Sequence, residues 1–316
     1  MNNTPWIEKY RPSELTDVIM DEQIKKIIEV LVNNRKNIHM IITGSPGVGK
    51  TSTVKCIAKK ILGDNIENGF LELNDADSRG VKNITTLIPS FCKRSVQFKE
   101  SKFILLDESD NIPKKCQNDI CKMMQEFGEN TNFIFTCNDS TKIIENIQSV
   151  CRIIRFKNLS DSQIKSRLEY ICKVENVNQT PEGLNTICYI SSGDMRKAIN
   201  NLQITANSFD KITKKTVLSI CKMPDPVEIS EIIELCLEKN LNNANDKINK
   251  IILDGYYYLD IVSSFGYVLI HYTMKDELKL QMLDIVNQTK IIISNGVRSK
   301  LQLLAMICRL ISIVKK

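Results

Sequence analysis

Eight consecutive residues of this chain have the types and the spacing that bind phosphate groups. They are Gly44-Ser45-Pro46-Gly47-Val48-Gly49-Lys50-Thr51, and they fit the pattern G-x-x-x-x-G-K-[ST]. The glycines let the backbone curl so that its N–H groups point at phosphate oxygens, and a following helix adds positive partial charge. Lys50 is expected to reach the β- and γ-phosphates, and the Thr51 hydroxyl is expected to hold Mg²⁺. With Ser52 included, the predicted nucleotide-binding stretch runs from Gly44 to Ser52.

A second acidic motif follows a predicted strand. The apolar run Phe103-Ile104-Leu105-Leu106 is followed directly by Asp107-Glu108-Ser109-Asp110. At the tip of the strand, Asp107 can bind the Mg²⁺ shell, and Glu108 can orient and activate an attacking water. An apolar strand with two following carboxylates is a weak signal alone, but downstream of a phosphate loop it is a strong one. The pattern predicts nucleotide hydrolysis.

Two more polar residues are candidates for the same site. Asn138 follows the next predicted strand, where it can hydrogen-bond the γ-phosphate or the water; a capping or turn asparagine is the alternative. Arg196 stands in Gly193-Asp194-Met195-Arg196, which opens a helix, and it can reach back over the phosphates. A solvated surface arginine is the alternative there, and the residues alone leave both alternatives open.

The elements that must position these residues alternate along the chain. Five short apolar runs predict strands: Ile38–Thr43, Phe70–Leu73, Phe103–Asp107, Phe133–Thr136 and Ile153–Phe156. Helical segments lie between them, which indicates an α/β fold with a parallel sheet covered by helices on both faces. After Phe156 the strands are expected to stop, and helix-start signals such as Ser160-Asp161-Ser162-Gln163 and Thr180-Pro181-Glu182 follow.

The same pass along the chain predicts three domains. Residues 1–157 form the nucleotide-binding domain, residues 158–223 a small helical domain, and residues 224–316 a helical packing or assembly domain. Pro224-Asp225-Pro226 is the predicted break before the last of these. No catalytic constellation is visible in the final third.

Composition excludes several classes of protein. The chain has 316 residues, of which 42% are hydrophobic and 25% charged, as in soluble globular proteins. No apolar run approaches the ~20 residues of a membrane span, and no signal peptide is visible, so an intracellular protein is expected. The 11 cysteines form no C-x-x-C pair, which leaves zinc binding without support. The net charge of +6 permits contact with nucleic acid without demonstrating it.

Taken together, six motifs resemble those of the small subunits of replication factor C, the ATP-driven sliding-clamp loader of eukaryotes and archaea. The resemblance covers residues 4–222 and, more loosely, the rest. Besides the phosphate loop, its carriers are Pro5-Trp6-Ile7-Glu8-Lys9-Tyr10-Arg11-Pro12, Leu73-Asn74-Asp75-Ala76-Asp77-Ser78-Arg79-Gly80-Val81, Asp107-Glu108-Ser109-Asp110, Cys137-Asn138 with Lys142-Ile143-Ile144-Glu145, and Ser192-Gly193-Asp194-Met195-Arg196-Lys197-Ala198-Ile199-Asn200.

The resemblance implies an AAA+ module, a helical lid and a C-terminal helical collar for oligomerisation. It implies an ATP hydrolase that uses Mg²⁺ and is active only within a hetero-pentamer of clamp-loader subunits. The implied partners are a sliding clamp of the proliferating cell nuclear antigen type and primer–template DNA, with no membrane. The implied location is the nucleus or another site of DNA replication.

The resemblance also assigns roles to residues. Glu8, Tyr10 and Arg11 would lie near the adenine and phosphates, and the ATP site would comprise Lys50, Thr51, Asp107, Glu108, Asn138 and Arg196. Candidates for contact with DNA phosphates are Arg79, Lys82, Lys114, Lys115 and Lys142, with solvated side chains as the alternative. The helix from about Val81 and the loop through Phe91 and Phe98 lie where family members touch the clamp. Ile88 and Phe91 are candidates to plug a clamp pocket, with core packing as the alternative.

One motif departs from the family. Where the family has Ser-Arg-Cys, this chain has Ser149-Val150-Cys151, and that arginine is the finger that reaches the neighbouring subunit's ATP site. Valine cannot stabilise developing phosphate charge, and such a finger is worth ~10³ or more in rate. Cys121 also stands where the family usually shows arginine. Arg152 is a candidate for a displaced finger, because in a strand it would face the same side as Val150.

Three functions compete on the sequence. A clamp-loader ATPase subunit is the first interpretation. A branch-migration or helicase-type AAA+ motor is the second, but such motors are usually homohexamers that supply their own finger. A nucleotide-binding scaffold without turnover is the third, and the intact Lys50, Thr51, Asp107 and Glu108 count against it.

Overall fold

The computed structural model describes residues 4–34, 39–74, 81–94, 101–221 and 223–314, and of residues 33–34 and 81–85 it describes the backbone alone. The chain divides into two compact units, Met1–Thr213 and Lys214–Lys316. The division into three domains stays a prediction.

A five-stranded parallel sheet forms the centre of the first unit. Its strands are β1 (Met40–Thr43), β2 (Phe70–Leu73), β3 (Lys102–Leu106), β4 (Thr131–Cys137) and β5 (Arg152–Arg155), in the order β2-β3-β4-β1-β5. Residues of β1, β3 and β4 are buried throughout, as expected for strands covered on both faces. All five predicted strands are therefore confirmed within one or two residues, except that Ile38 lies outside the described residues.

Helices cover this sheet and continue beyond it. In the first unit they are α1 (Trp6–Lys9), α2 (Glu22–Asn34), α3 (Lys50–Leu62), α4 (Ile66–Gly69), α5 (Val81–Lys93), α6 (Lys114–Phe127), α7 (Glu145–Val150), α8 (Asp161–Glu175), α9 (Pro181–Ser191) and α10 (Met195–Ser208). The sequence signals at the start of α8 and α9 are confirmed. Ser160 and Gln163 form a reciprocal capping box, and Thr180 caps α9 with Pro181 as its first residue.

The prediction that strands stop after Phe156 is wrong in one detail. Two short strands, β6 (Asn178–Gln179) and β7 (Lys211–Ile212), pair in parallel and form a second sheet of two strands. Each has two residues, which is too short for the alternation that marks a strand in sequence. Their pairing joins the segment before α9 to the segment after α10.

A buried lysine links helix α5 to the sheet. Lys102, at the start of β3, is 4% exposed, and its Nζ donates to the carbonyl oxygens of Phe91 and Cys92 at 2.8 and 2.9 Å and to that of Arg94. These carbonyls lie at or just past the C-terminal end of α5, where helices leave carbonyls without partners and favour positive charge. Lys102 therefore anchors that end of α5 on the sheet.

The second unit is helical in its described part. It contains α11 (Lys214–Cys221), α12 (Pro226–Leu237), α13 (Leu241–Leu253), α14 (Tyr258–His271), α15 (Asp276–Ser294) and α16 (Lys300–Ile313). A core of buried residues, mostly aliphatic and including Phe265, holds α12 to α16 together. Asp225 caps α12 and Pro226 is its first residue. Across the described ranges, no helix is long and apolar enough to span a bilayer.

Candidate functional site

The predicted chemical residues meet at one edge of the parallel sheet. Strands β1, β3 and β4 end at Thr43, Leu106 and Cys137, and the next residues are Gly44, Asp107 and Asn138. Because carboxyl ends of parallel strands share an edge, three separate parts of the chain converge there. One cleft at this edge is lined by Lys50, Thr51, Asp107, Glu108, Asn138 and Arg196.

The phosphate loop needs glycine at three positions for different reasons. At Gly44 an added Cβ would lie 2.6 Å from the Phe156 carbonyl oxygen. Gly49, which caps α3, has φ 95°, and Gly47 has φ 72°, in the left-handed region that favours glycine. An added Cβ at Gly47 would also fall 1.7 Å from Asp194 Oδ1. The loop is therefore shaped by its own backbone and by the N-terminus of α10.

The ammonium of Lys50 uses all three of its donors within the site. It donates to the carbonyl oxygens of Gly44 at 2.6 Å and Ser45 at 2.9 Å, and to Asn138 Oδ1 at 2.9 Å. Burial lowers the pKa of Lys50, and the nearby carboxylates of Asp107 and Asp110 oppose that shift. Phosphate oxygens would take the place of these acceptors when Lys50 engages a nucleotide. Asn138, which the sequence left open, thus contacts the phosphate-loop lysine directly.

Asp107 is held by donors from three elements. Thr51 Oγ1 at the start of α3 lies 3.0 Å from both carboxylate oxygens, Thr136 Oγ1 in β4 donates to Oδ1, and the Glu108 N–H donates to Oδ1 at 3.2 Å. A carboxylate beside a threonine hydroxyl is an oxygen donor set that suits Mg²⁺. Thr51 and Asp107 therefore fit the metal role predicted for them.

Thr136 was missed by the sequence analysis. It is 1% exposed and lies one residue before the end of a buried strand, directly after the apolar residues Phe133–Phe135. A hydroxyl in such a strand needs a partner, because an unpaired buried polar group is costly. That single polar residue in the run Phe133–Thr136 was the signal that could have identified it.

Glu108 occupies a tight turn beside the cleft. Its backbone lies in the left-handed region with φ 52° and ψ 42°, which is uncommon for a residue with a side chain. The side chain is exposed and lines the same cleft as Lys50. Below it, the Ser109 hydroxyl donates to the carbonyls of Leu106 and Thr136 at 2.6 and 3.0 Å, which ties the turn to both strands.

The start of α10 contacts the phosphate loop directly. The Met195 N–H donates to the Gly47 carbonyl oxygen at 3.2 Å, and Asp194 caps α10 by accepting from the Lys197 N–H at 3.0 Å. Arg196 is exposed, lines the cleft, and has no hydrogen bond or ion pair to a described residue. Asp194 and Met195 were not predicted as site residues, and the glycine requirement at Gly47 becomes visible only when the two segments are brought together.

A second, adjoining cleft lies on the other side of the loop. It is lined by Glu8, Tyr10, Arg11, Val48, Met195 and Ile199, among others, and also by Arg196. Tyr10 is 8% exposed, whereas Glu8 is exposed and pairs with Arg11 at 3.3 Å. The three N-terminal residues that the resemblance assigned to the adenine and phosphates thus lie beside the phosphate loop.

The candidate DNA-contacting residues are only partly described. Lys114 and Lys115 are exposed in the first turn of α6, and Lys142 is exposed in the short 3₁₀ turn Ser140–Lys142. Arg79 lies outside the described residues, and so does the side chain of Lys82. Of the candidates for clamp contact, Ile88 is 0% and Phe91 8% exposed, so both pack in the core as the alternative held. Phe98 lies outside the described residues.

The finger position differs from the expectation. Val150 is the last residue of α7 and is 53% exposed, and Arg152 begins β5 and is exposed. Val150 is therefore not in a strand, and the argument that strand alternation points both side chains the same way is wrong. The helix from Glu145 packs its buried residue Ile147 in the core and ends at Val150, after which Cys151 is extended and its N–H donates to the Ile147 carbonyl oxygen.

Three family models match the chain. They are described as "ATPase family associated with various cellular activities (AAA)" over residues 40–159, "RCF1/5-like, AAA+ ATPase lid domain" over residues 166–206, and "Replication factor C C-terminal domain" over residues 224–309.

Curated relatives match over nearly the whole chain. A protein of Acanthamoeba polyphaga mimivirus, whose name assigns it to the replication factor C small subunits, is 57% identical over 100% of this chain and 99% of its own. Replication factor C subunit 4 of Schizosaccharomyces pombe is 37% identical, covering 97% and 90%. The replication factor C small subunit of Methanothermobacter thermautotrophicus is 34% identical, covering 97% of both chains.

Solved structures agree in fold. The RuvB Holliday junction branch migration motor of Thermotoga maritima matches with a TM-score of 0.57 at 16% identity, over 81% of this chain and 91% of that one. At this identity the likeness concerns the fold alone.

Proposed function

Since the chain belongs to the family of replication factor C small subunits, we propose that it is an ATPase subunit of a clamp loader that opens a sliding clamp and loads it onto primer–template DNA during replication. The AAA ATPase domain makes it an ATP hydrolase. The branch-migration motor is not favoured, because the likeness to RuvB is one of fold, whereas the likeness to replication factor C extends along the sequence.

One observation carries the proposal: a single cleft gathers the residue types that an ATPase subunit contributes to its own nucleotide site. Lys50 exchanges its carbonyl partners for phosphate oxygens, and Asn138, now bonded to Lys50, is placed beside the same group. Glu108, which lies in the exposed turn, orients the attacking water and accepts the proton of that water. Mg²⁺ held by Thr51 and Asp107 would neutralise phosphate charge. Arg196, in the lid helix α10, lines the same cleft and can bind the phosphates there.

DNA contact is proposed at exposed lysines. Lys114 and Lys115 lie in the first turn of a 14-residue helix, whose N-terminal N–H groups also favour phosphate. Such contacts position a duplex without reading its bases, so binding should fall steeply with salt. Other clamp-loader subunits, in a hetero-pentamer, and a clamp of the proliferating cell nuclear antigen type are the proposed protein partners. The proposed place of action is the nucleus or another site of DNA replication.

We keep the hypothesis that this subunit gives its neighbour little catalytic help. Val150 cannot stabilise phosphate charge, so the subunit would sit where its finger edge faces an inactive site or the open gap of the ring. Arg152 is exposed and has no ion-pair partner among the described residues, which leaves it available as a displaced finger. In the reconstituted complex, Arg152→Ala separates these options: a collapse of ATPase activity supports a displaced finger, and an unchanged rate supports no finger.

The test of the function is ATPase activity with and without sliding clamp and primed DNA. We expect stimulation only in the hetero-oligomer and only with both ligands present. Lys50→Ala should abolish nucleotide binding, because it removes the counter-charge of the phosphates. Activity of the lone subunit that rises with DNA alone would contradict the clamp-loader assignment.

A further inference from the structure

The N-terminal segment Pro5–Arg11, here called the strap, forms part of the cleft beside Val48 but has little structure of its own to stabilise it. Its only helix, α1, has four residues and none of them is buried. A helix of one turn is not stable alone in water. The position of the strap, and of the cleft wall that it forms, must therefore be set by what it touches.

The strap is bonded to the helices that follow the sheet. Glu175, the last residue of α8, accepts hydrogen bonds from Lys9 Nζ at 2.7 Å and from the Tyr10 hydroxyl through the same oxygen, Oε1. Arg167, two turns earlier on α8, donates to the Tyr10 carbonyl oxygen at 3.0 Å. At the other end, the Trp6 N–H donates to Gln203 Oε1 of α10 at 2.9 Å. Both ends of the strap are thus fixed to α8 and α10.

The bond between Tyr10 and Glu175 is better shielded from solvent than the ion pair between Lys9 and Glu175. The Lys9 side chain is 49% exposed, so solvent screens its ion pair, whereas Tyr10 is 8% exposed. Burial and the adjacent carboxylate raise the pKa of Tyr10, and the bonds from Lys9 and Tyr10 lower the pKa of Glu175. Tyr10 therefore stays a protonated donor to an ionised acceptor, which is the stronger class of hydrogen bond.

The geometry points to Glu175 and Arg167 as positioning residues that fix the strap to α8, so that the cleft beside the phosphate loop is complete only while α8 and α10 hold the strap. Neither lines the cleft that holds Lys50, Asp107 and Glu108, so their effect is on nucleotide affinity and not on the chemical step. Glu175 acts through the strap alone, whereas Arg167 both holds the strap and lines the strap cleft itself. This inference rests on the proposed nucleotide site, and specifically on the base and sugar occupying the strap cleft.

The experiment compares two probes on the full-length chain: Mg-ATP, which fills both clefts, and inorganic tripolyphosphate, which fills the phosphate cleft alone. Calorimetry gives the dissociation constant of each for wild type, Glu175→Gln and Tyr10→Phe. We expect both variants to weaken ATP binding by about fivefold or more, and to leave tripolyphosphate binding within about twofold. The double variant should be little worse than either single one, because both act on the same bond: Glu175→Gln leaves it a neutral acceptor, and Tyr10→Phe removes its donor.

Controls separate this inference from the site assignment. Glu182→Gln is a matched control, since Glu182 is an exposed glutamate on α9 whose carboxylate bonds no described residue, and it should change neither constant. Lys50→Ala should weaken both probes; if it changes neither, the nucleotide site itself is misassigned. In the reconstituted complex, Glu175→Gln should raise the KM for ATP and leave kcat unchanged.

Three results would overturn the inference. The first is unaltered ATP binding in Glu175→Gln and Tyr10→Phe while Lys50→Ala abolishes it. The second is an equal loss of ATP and tripolyphosphate binding, which would indicate general damage to the site. The third is a lower kcat with an unchanged KM, which would place Glu175 in the chemical step.

Discussion

Replacing Thr136 by valine tests how Asp107 is held. Valine keeps the shape and the branched Cβ but removes the hydroxyl that donates to Asp107 Oδ1. If the Thr51 hydroxyl binds Mg²⁺ and no longer donates to Asp107, the wild-type carboxylate still has two donors, Thr136 and the Glu108 N–H. In the variant it has only the Glu108 N–H. Thr136 is 1% exposed, so valine fills its place and no water enters at the position of the hydroxyl.

The expected magnitude follows from that count. A hydrogen bond to a charged acceptor contributes about 1.5–3 kcal/mol. If most of the lower value is lost from the alignment of Asp107, kcat/KM for Mg-ATP falls about tenfold. The apparent Mg²⁺ requirement should rise, because a less constrained carboxylate binds the ion more weakly. Since valine suits a buried strand, the free energy of unfolding should change by no more than about 1 kcal/mol.

The assay is ATPase activity of the reconstituted complex over a range of Mg²⁺ concentrations. Thr205→Val is the matched control: Thr205 is 0% exposed, but its hydroxyl bonds the Asn201 carbonyl within α10 at 2.7 Å. It should leave the Mg²⁺ dependence unchanged. If Thr136→Val and wild type titrate identically with Mg²⁺, the hydroxyl does not hold Asp107 for the metal and the reasoning fails.

Three further changes test other parts of the structure. Lys102→Met should lower the free energy of unfolding in urea by about 2–4 kcal/mol, because it removes the ammonium group that donates to the carbonyls at the end of α5. An unchanged urea midpoint would show that water replaces the ammonium group. Gly47→Ala should weaken nucleotide binding by about tenfold or more, since its Cβ would fall 1.7 Å from Asp194 Oδ1, and adding Asp194→Ala should restore part of it. Burial lowers the pKa of His39, whose Nδ1 accepts from the Phe133 N–H at 3.0 Å. In the unfolded chain His39 binds a proton more readily than in the folded protein, so the free energy of unfolding should have its full value above about pH 6.5 and fall below that pH. His39→Asn should flatten that part of the profile of urea midpoint against pH.

The sequence predicted those parts of the site whose signals are local. The phosphate loop and the Asp107 turn each follow an apolar run that continues through a buried strand, so both type and position were readable. Long-range contacts left no such trace. Glu175 lies 165 positions from Tyr10, and nothing near either residue marks the pair.

Two errors have a physical cause as well. The pairing of β6 with β7 depends on two residues in each strand, which is below the length at which a pattern emerges. The displaced-finger argument treated Val150 and Arg152 as residues of one strand, although the predicted strand began only at Ile153 and β5 begins at Arg152. The backbone shows that the helix runs to Val150 and that the chain becomes extended only at Cys151.

The chain contains a single tryptophan, Trp6, and the fold has placed it in the strap. Its indole meets the Tyr10 ring edge-on with centroids 6.4 Å apart, and its backbone is tied to Gln203. Intrinsic fluorescence excited at the indole band therefore originates from this one segment. An unlabelled wild-type subunit carries its own optical reporter of whether the strap is docked, and partner subunits engineered without tryptophan would keep that signal readable inside the assembled ring.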